Sequence, residues 1–302
     1  MAVGRLSSIR KAAEALHISA SAIDRQILNV EADLGVPLFE RLPTGLRLTA
    51  AGEIMMDAGM RWEKSLLDVR AQIEDLRGLK RGHVDIAIID ALAKGYVPRT
   101  IQAIQSRYPG ITIGVKVLNN DAVRAAILNG EVDFGIFFEP ETFRGLTVRS
   151  FVEVVLGLLT PPGHPLTQQN EIRFSACAGS ALIVPAPPLA VCQQIEILEG
   201  ITGVTLGRAV TSDNIQMITS LVLQGVGIGI LTSVDVITEV RRGLISFTKI
   251  SDSILRPMIL GLCTASSRVP SYAAGVVLRE FENGFAELSY PASIDVTADL
   301  EV

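Results

Sequence analysis

The side chains able to do chemistry are scattered, and their spacing excludes more than it supports. His17, His83 and His164 lie too far apart for a metal set. Cys177, Cys192 and Cys263 are odd in number and lack metal-ligand spacing, which fits reduced thiols in a cytosol better than a disulfide framework. Cys177 and Cys192 sit in apolar sequence, which raises a thiol's pKa and argues against a redox switch. There is no Gly-x-Ser-x-Gly elbow, and no Ser/His/Asp set stands out. The Gly225-x-Gly-x-Gly run precedes a strand and does not open a helix, so the dinucleotide-loop context fails. An enzyme is not expected, nor any cofactor or metal.

What remains is polar chemistry at the starts of helices. Ile9, Ala12, Ala13 and Leu16 recur at i, i+3, i+4, i+7 and give one apolar helical face. After a short His17-Ile18 turn, Ser19 is placed to cap a second helix, in which Ile23, Ile27, Val30 and Leu34 form a stripe. Ser21 and Arg25 face the other way, flanked by Ala20 and Asp24, and Gly35 fits a helix stop. Two short helices, the second with polar groups at its start, match a recognition helix for a DNA major groove. Leu46-Arg47-Leu48 behind the turn Pro43-Thr44-Gly45 predicts a β-hairpin. Its Arg47 could reach phosphate as a wing residue, or simply be solvated.

The run from Ala12 to Gly52, above all Leu34-Gly35-Val36-Pro37-Leu38-Phe39-Glu40-Arg41, resembles the DNA-binding domain of LysR-type transcriptional regulators. The resemblance implies a winged helix-turn-helix over residues 1–49, with Arg10, Ser19, Ala20, Ser21, Asp24, Arg25 and Arg47 meeting double-stranded DNA. Where this family usually carries glutamine, proline and serine, the chain has Ala20, Ser21 and Asp24; a carboxylate there repels phosphate but can accept a proton from cytosine N4. The family begins with a further helix, for which only Met1 to Leu6 is available; either the true start lies upstream or that helix is largely missing, and a fragment of residues 1–80 is expected to fold poorly.

Residues 50–80 read as one long helix capped by Thr49. Met55, Gly59, Trp62, Leu66, Val69, Ile73 and Leu76 alternate spacings of four and three, a heptad seam that fits dimerisation. In the resembled family this helix makes the dimer, and dimers often pair into tetramers. Two recognition helices would then read an inverted repeat.

From residue 83 onwards short apolar strands alternate with helices: Val84–Ile89, Ile111–Leu118 and Asp133–Phe138, then Ala181–Val184, Thr205–Thr211, Gly227–Leu231 and Met258–Cys263. This order predicts α/β layers with parallel strands. Val277, Phe281, Phe285 and Leu288 would pack a last helix on the first lobe, and the acidic residues 291–302 are expected to be disordered. The whole is an α+β multidomain chain. Its C-terminal part resembles the two-lobed, periplasmic-binding-protein-like effector domain of the same regulators, carried by Pro161-Pro162-Gly163-His164-Pro165-Leu166 and Gly225–Leu231. Lobe I is expected over about 83–159 and 265–290, lobe II over about 160–264.

In such domains a small-molecule effector sits between the lobes, at strand ends and helix N-termini. The matching positions are Asp90, Ala91, Asn119, Asn120, Phe137, Glu139, Thr160, Ser212 and Asp213. Asp90, Asp121 and Asp213 each precede a helix and could be plain caps. A carboxylate in the cleft would oppose an anionic effector and suit a cation or a neutral hydrogen-bond donor.

At 302 residues and 48% hydrophobic, the chain can bury two or three cores. It has no apolar run of about 18 residues and no secretory signal pattern, so a cytoplasmic protein without membrane contact is expected. Net charge is −5, but residues 1–82 carry 12 Lys+Arg against 11 Asp+Glu, and residues 83–302 carry 15 against 21. Few cations are needed to hold phosphate, so the balance permits DNA binding. The expectation is a ligand-responsive transcriptional regulator, with RNA polymerase as a further partner. The alternative is a small-molecule-binding protein that has lost DNA binding with its shortened start.

Overall fold

The computed structural model describes all residues except 43–44, 76–80, 141–142 and 291–302, together with the side chain of Gln168 and some side chains of the long helix. Leu76 and the tail therefore lie outside the described residues, and Ile73 is described by its backbone alone. The chain divides into two units, Met1–Glu74 and, from Asp75, most of the remainder.

The first unit runs α1 (Ala2–Leu6), α2 (Ile9–Leu16), α3 (Ala20–Leu34), the hairpin β1 (Phe39–Leu42) and β2 (Gly45–Leu48), then α4 (Ala50–Asp75). After α1, each helix start has a side-chain acceptor for an orphan N–H: Ser8 for Lys11, Ser19 for Ala22 and Thr49 for Gly52. The first helix is the short Ala2–Leu6 turn that the sequence left for it, and its Val3 joins Ala12, Ala13 and Ile23 in a small core. The apolar stripe of α3 is only half used: Ile23 is buried, whereas Val30 and Leu34 are exposed. Gly35 takes φ 70° and ends α3. Beyond it Glu31 turns the chain, its Oε1 accepting from Leu38 N at 2.7 Å and Phe39 N at 3.1 Å. At Gly52 a Cβ would stand 2.1 Å from the Leu38 carbonyl oxygen, so only glycine lets α4 leave so close to the hairpin.

The second unit holds two sheets. One has the order β4-β3-β5-β13-β6, from β3 (Gly82–Ile88), β4 (Ile111–Val117), β5 (Phe134–Phe138), β6 (Leu146–Val154) and β13 (Met258–Ala265). Strands β3, β4 and β5 are parallel, and β13 runs antiparallel between β5 and β6. The other has the order β10-β9-β11-β7-β12-β8, from β7 (Leu156–Thr160), β8 (Glu171–Ile172), β9 (Leu182–Pro185), β10 (Arg208–Ser212), β11 (Ile228–Thr232) and β12 (Ser246–Ile250). Helices α5 (Tyr96–Arg107) and α6 (Asn120–Leu128) belong to the first lobe, and α7 (Val191–Thr202), α8 (Ile215–Leu223) and α9 (Ile237–Arg241) to the second. Helix α10 (Tyr272–Gly284) returns to the first lobe, where Phe281 meets Tyr96 and Phe134 edge-on.

The chain crosses between lobes at Val155, between β6 and β7, and again before Met258. The expected borders at 160 and 265 therefore shift: β7 belongs to lobe II and β13 to lobe I. An uninterrupted apolar run such as Val154–Leu159 does not show where one strand ends and the next begins. No described helix is long and apolar enough to cross a membrane.

Candidate functional site

Two surfaces gather the chemistry. In the first unit, capped α3 presents Ala20, Ser21 and Arg25 to solvent, with Arg10 on α2 close in sequence and also exposed. Several of these cations are already paired. Arg10 meets Glu14 at 3.3 Å. Arg47 lies directly across the hairpin from Glu40 and holds its Oε2 at 2.5 Å through Nη2 and 3.0 Å through Nε. Asp24, expected to face a base, instead accepts from Arg41 Nη2 at 2.6 Å. Arg25 has no ion pair among the described residues. Arg41 and Glu40 were missed from sequence, although the resemblance run contains both. Such pairs are exposed, and each contributes about 0.2–1 kcal/mol.

The second surface is the cleft between the lobes, a cavity of about 320 Å³. Lobe I contributes Asp90, Ala91, Asn119, Asn120 and Phe138, and lobe II contributes residues 188–191, Asp213, Asn214, Ile215, Thr232 and Asp235. Of the expected positions, Asp90, Ala91, Asn119, Asn120 and Asp213 thus come together. The others do not line it. Strand alternation turns Phe137 into the core against Phe143, and its neighbour Phe138 takes the cleft wall. Glu139, at φ 55°, is occupied with β13, its Oε1 accepting from Ile259 N at 3.1 Å. Ser212 accepts from Asn214 N at 3.2 Å and shapes the turn. Thr160 lies at the far end of β7 from Leu156, which pairs with cleft residue Thr232. It is fully buried, and its hydroxyl finds no partner among the described residues.

The cap question is settled by asparagine. Asn119 Oδ1 accepts from Ala122 N at 2.9 Å, and Asn214 Oδ1 accepts from Met217 N at 2.8 Å. These bonds cap α6 and α8, leaving the carboxylates of Asp121 and Asp213 out of that role. Asp90 makes no cap bond either. Asn120 clamps the end of β5, accepting from Phe138 N at 2.7 Å and donating to Phe138 O at 3.1 Å. Asp235, missed from sequence, accepts from Thr232 N at 2.7 Å and Thr232 Oγ1 at 2.8 Å. Thr-x-x-Asp at a strand end is a capping-box signature that could have exposed it. Burial pushes the Asp235 carboxyl up to about 6; the Thr232 bonds hold it down and the nearby Asp90 charge raises it. The cleft lining thus holds three carboxylates and no lysine or arginine.

Beside the cleft, Lys94 Nζ of lobe I meets Glu239 Oε1 of lobe II at 2.9 Å, with Glu239 buried. All three cysteines are free and buried, and burial pushes Cys177 and Cys192 to about 11, with Asp252 and Glu196 adding to the rise, so neither is a ready thiolate.

Residues 1–53 match the model of the bacterial regulatory helix-turn-helix protein, lysR family, and residues 77–286 match the LysR substrate binding domain. The chain is 29% identical to the HTH-type transcriptional activator CmpR of Synechocystis over 61% of its own length and 60% of that protein. It is 27% identical to the HTH-type transcriptional regulator CbbR of Rhizobium meliloti over 84% of its length and 82% of that protein. Among solved structures, full-length CbnR complexed with its target DNA superposes with a TM-score of 0.64 at 18% identity, covering 93% of this chain and 96% of that one.

Proposed function

Because the chain belongs to the LysR family of bacterial transcriptional regulators, we propose that it reads an inverted-repeat operator as a dimer and answers to an effector bearing a cationic or hydrogen-bond-donating group. The observation that carries the effector class is the charge of the cleft: Asp90, Asp213 and Asp235 with no basic side chain to offset them. An anionic ligand there would lose Coulomb energy at every wall, whereas an ammonium or guanidinium would gain it. The helix N-termini at Asn120 and Ile215 leave room for one acceptor on the same ligand.

Dimerisation through α4 is supported by exposure. Trp62, Leu66 and Val69 are 66%, 56% and 47% exposed, at positions of the heptad seam. Arg25, unpaired and exposed, is the leading phosphate or base contact; Arg47 and Arg41 would have to exchange carboxylates for DNA. The effector works by shifting a population: closing on a ligand repositions the lobes about Val155 and residues 251–257, with Lys94–Glu239 as a contact that differs between states. Such a regulator acts in the cytoplasm, beside the chromosome, and an activating member would contact RNA polymerase. Loss of DNA binding is disfavoured, because all three helices of the reading unit are formed and capped or packed.

The test pairs two titrations. Operator DNA from the upstream region is titrated at several salt concentrations, and log affinity should fall linearly with log salt and drop on Arg25→Ala. Amines and amino acids are then compared with sugar phosphates and dicarboxylates for a shift in that affinity. A response confined to the anions would sink the effector class while leaving the DNA reading intact.

A further inference from the structure

A second hollow, about 410 Å³, lies at the hinge and carries the opposite charge. Both crossovers wall it, through Val155–Leu156 and through residues 251–258, and lobe II adds Arg173 and Lys249. Its lining thus holds three cations, Arg173, Lys249 and Arg256, against one carboxylate, Asp252. That carboxylate is occupied, since its Oδ2 accepts from Phe174 N at 2.6 Å. Lys249 is paired as well, to Glu171 at 2.6 Å. Arg173 and Arg256 make no ion pair among the described residues, and the hydroxyls of Ser251 and Ser253 stand in the same wall.

We propose that this hinge hollow is an anion site, taking the phosphate or carboxylate group of a small metabolite distinct from the effector in the cleft. Guanidinium forks match the planar or tetrahedral oxygens of such groups, and Arg173 and Arg256 supply them while Lys249 stays with Glu171. The apolar walls of Leu156 and Met258 accept the uncharged remainder of the ligand. The two cavities therefore sort ligands by sign, because the carboxylates of the cleft repel what the hinge attracts. The site also reaches the conformational equilibrium directly. Arg173 belongs to lobe II, whereas Arg256 lies on the second crossover, so a bound anion ties the crossover to one lobe and biases the angle at which the lobes meet. This site stands apart from DNA reading and from the choice of effector.

The experiment uses the full-length chain with inorganic phosphate as probe, in chloride buffers of matched ionic strength. Phosphorus-31 line broadening and thermal melts report binding, and circular dichroism checks that variants fold. Both arginines are exposed, so Arg173→Gln with Arg256→Gln should leave the fold intact. The native chain should broaden the phosphate line saturably, and removing each arginine should weaken this by about tenfold. Asp213→Asn, in the cleft, should leave it unchanged. No saturable broadening in the native chain would overturn the proposal. So would equal broadening by the double variant, which would place the phosphate on the DNA-reading face or elsewhere.

Discussion

Asp235 is the group whose perturbation tests the cleft most directly. Its carboxyl, normally near 3.8, is raised to about 6 by burial and by the Asp90 charge, against the pull of two bonds from Thr232. A carboxyl raised by folding favours the native state while protonated, and that contribution is fully present below about pH 4. It is lost as the pH climbs through 6, leaving a buried charge at pH 7.5. The shift of about two units corresponds to about 3 kcal/mol at 1.36 kcal/mol per unit. Asparagine approximates the neutral acid and keeps an acceptor for Thr232. Asp235→Asn should therefore stabilise the chain by about 3 kcal/mol at pH 7.5, a rise in Tm of roughly 6–12 °C for a domain of this size. The gain should shrink as the pH is lowered and vanish near pH 4. Thermal melts of both proteins across that range read it out. A variant that is less stable at pH 7.5, or a difference that does not change with pH, would refute the account. The same substitution should weaken a cationic effector, because it removes one of three opposing charges.

Three further outcomes follow from the contacts. Asp24→Asn releases Arg41 and removes a negative charge from the reading face; operator affinity at fixed salt should rise about 3–10-fold, and the salt slope should steepen by about 0.9, measured by fluorescence anisotropy. Gly52→Ala places a methyl 2.1 Å from the Leu38 oxygen, which must displace the backbone at a cost of roughly 1–3 kcal/mol or more. In a unit with so small a core, DNA binding should be lost while the melt of the effector domain stays put. Lys94→Ala leaves the buried Glu239 unpaired, and the effector domain should lose about 1–2 kcal/mol, discounted for the exposure of the lysine. Restoration by the added change Glu239→Gln is checked in a double-mutant cycle.

Much of this was legible in the sequence where a local rule acts alone. Ser19 and Thr49 could be named as caps because a hydroxyl before an apolar period has few other uses, and Gly35 because a helix end at positive φ favours glycine. Failures begin where two neighbours compete for one role. Asp213 and Asn214 are both good caps, and only the backbone decides that Asn214 takes the bond, which leaves Asp213 for the cleft. Asp121 lost the same contest to Asn119. Phe137 and Phe138 are alike in composition, so the face that each occupies depends on register, and a shift of one residue exchanges core for cleft.

Charge pairing was the least legible feature, because it joins residues distant in sequence. Nothing local links Asp24 to Arg41, or Glu40 to Arg47 before the hairpin register is known. Yet these pairs change the functional reading: a reading face that seemed to offer Arg47 and Asp24 offers instead two neutralised pairs and the unpaired Arg25. Binding to phosphate must then exchange one partner for another. Each exchange costs little, since an exposed pair contributes at most about 1 kcal/mol. Phosphate can therefore compete for Arg41 and Arg47 at small cost, and Asp24→Asn isolates one such exchange from the contribution of Arg25.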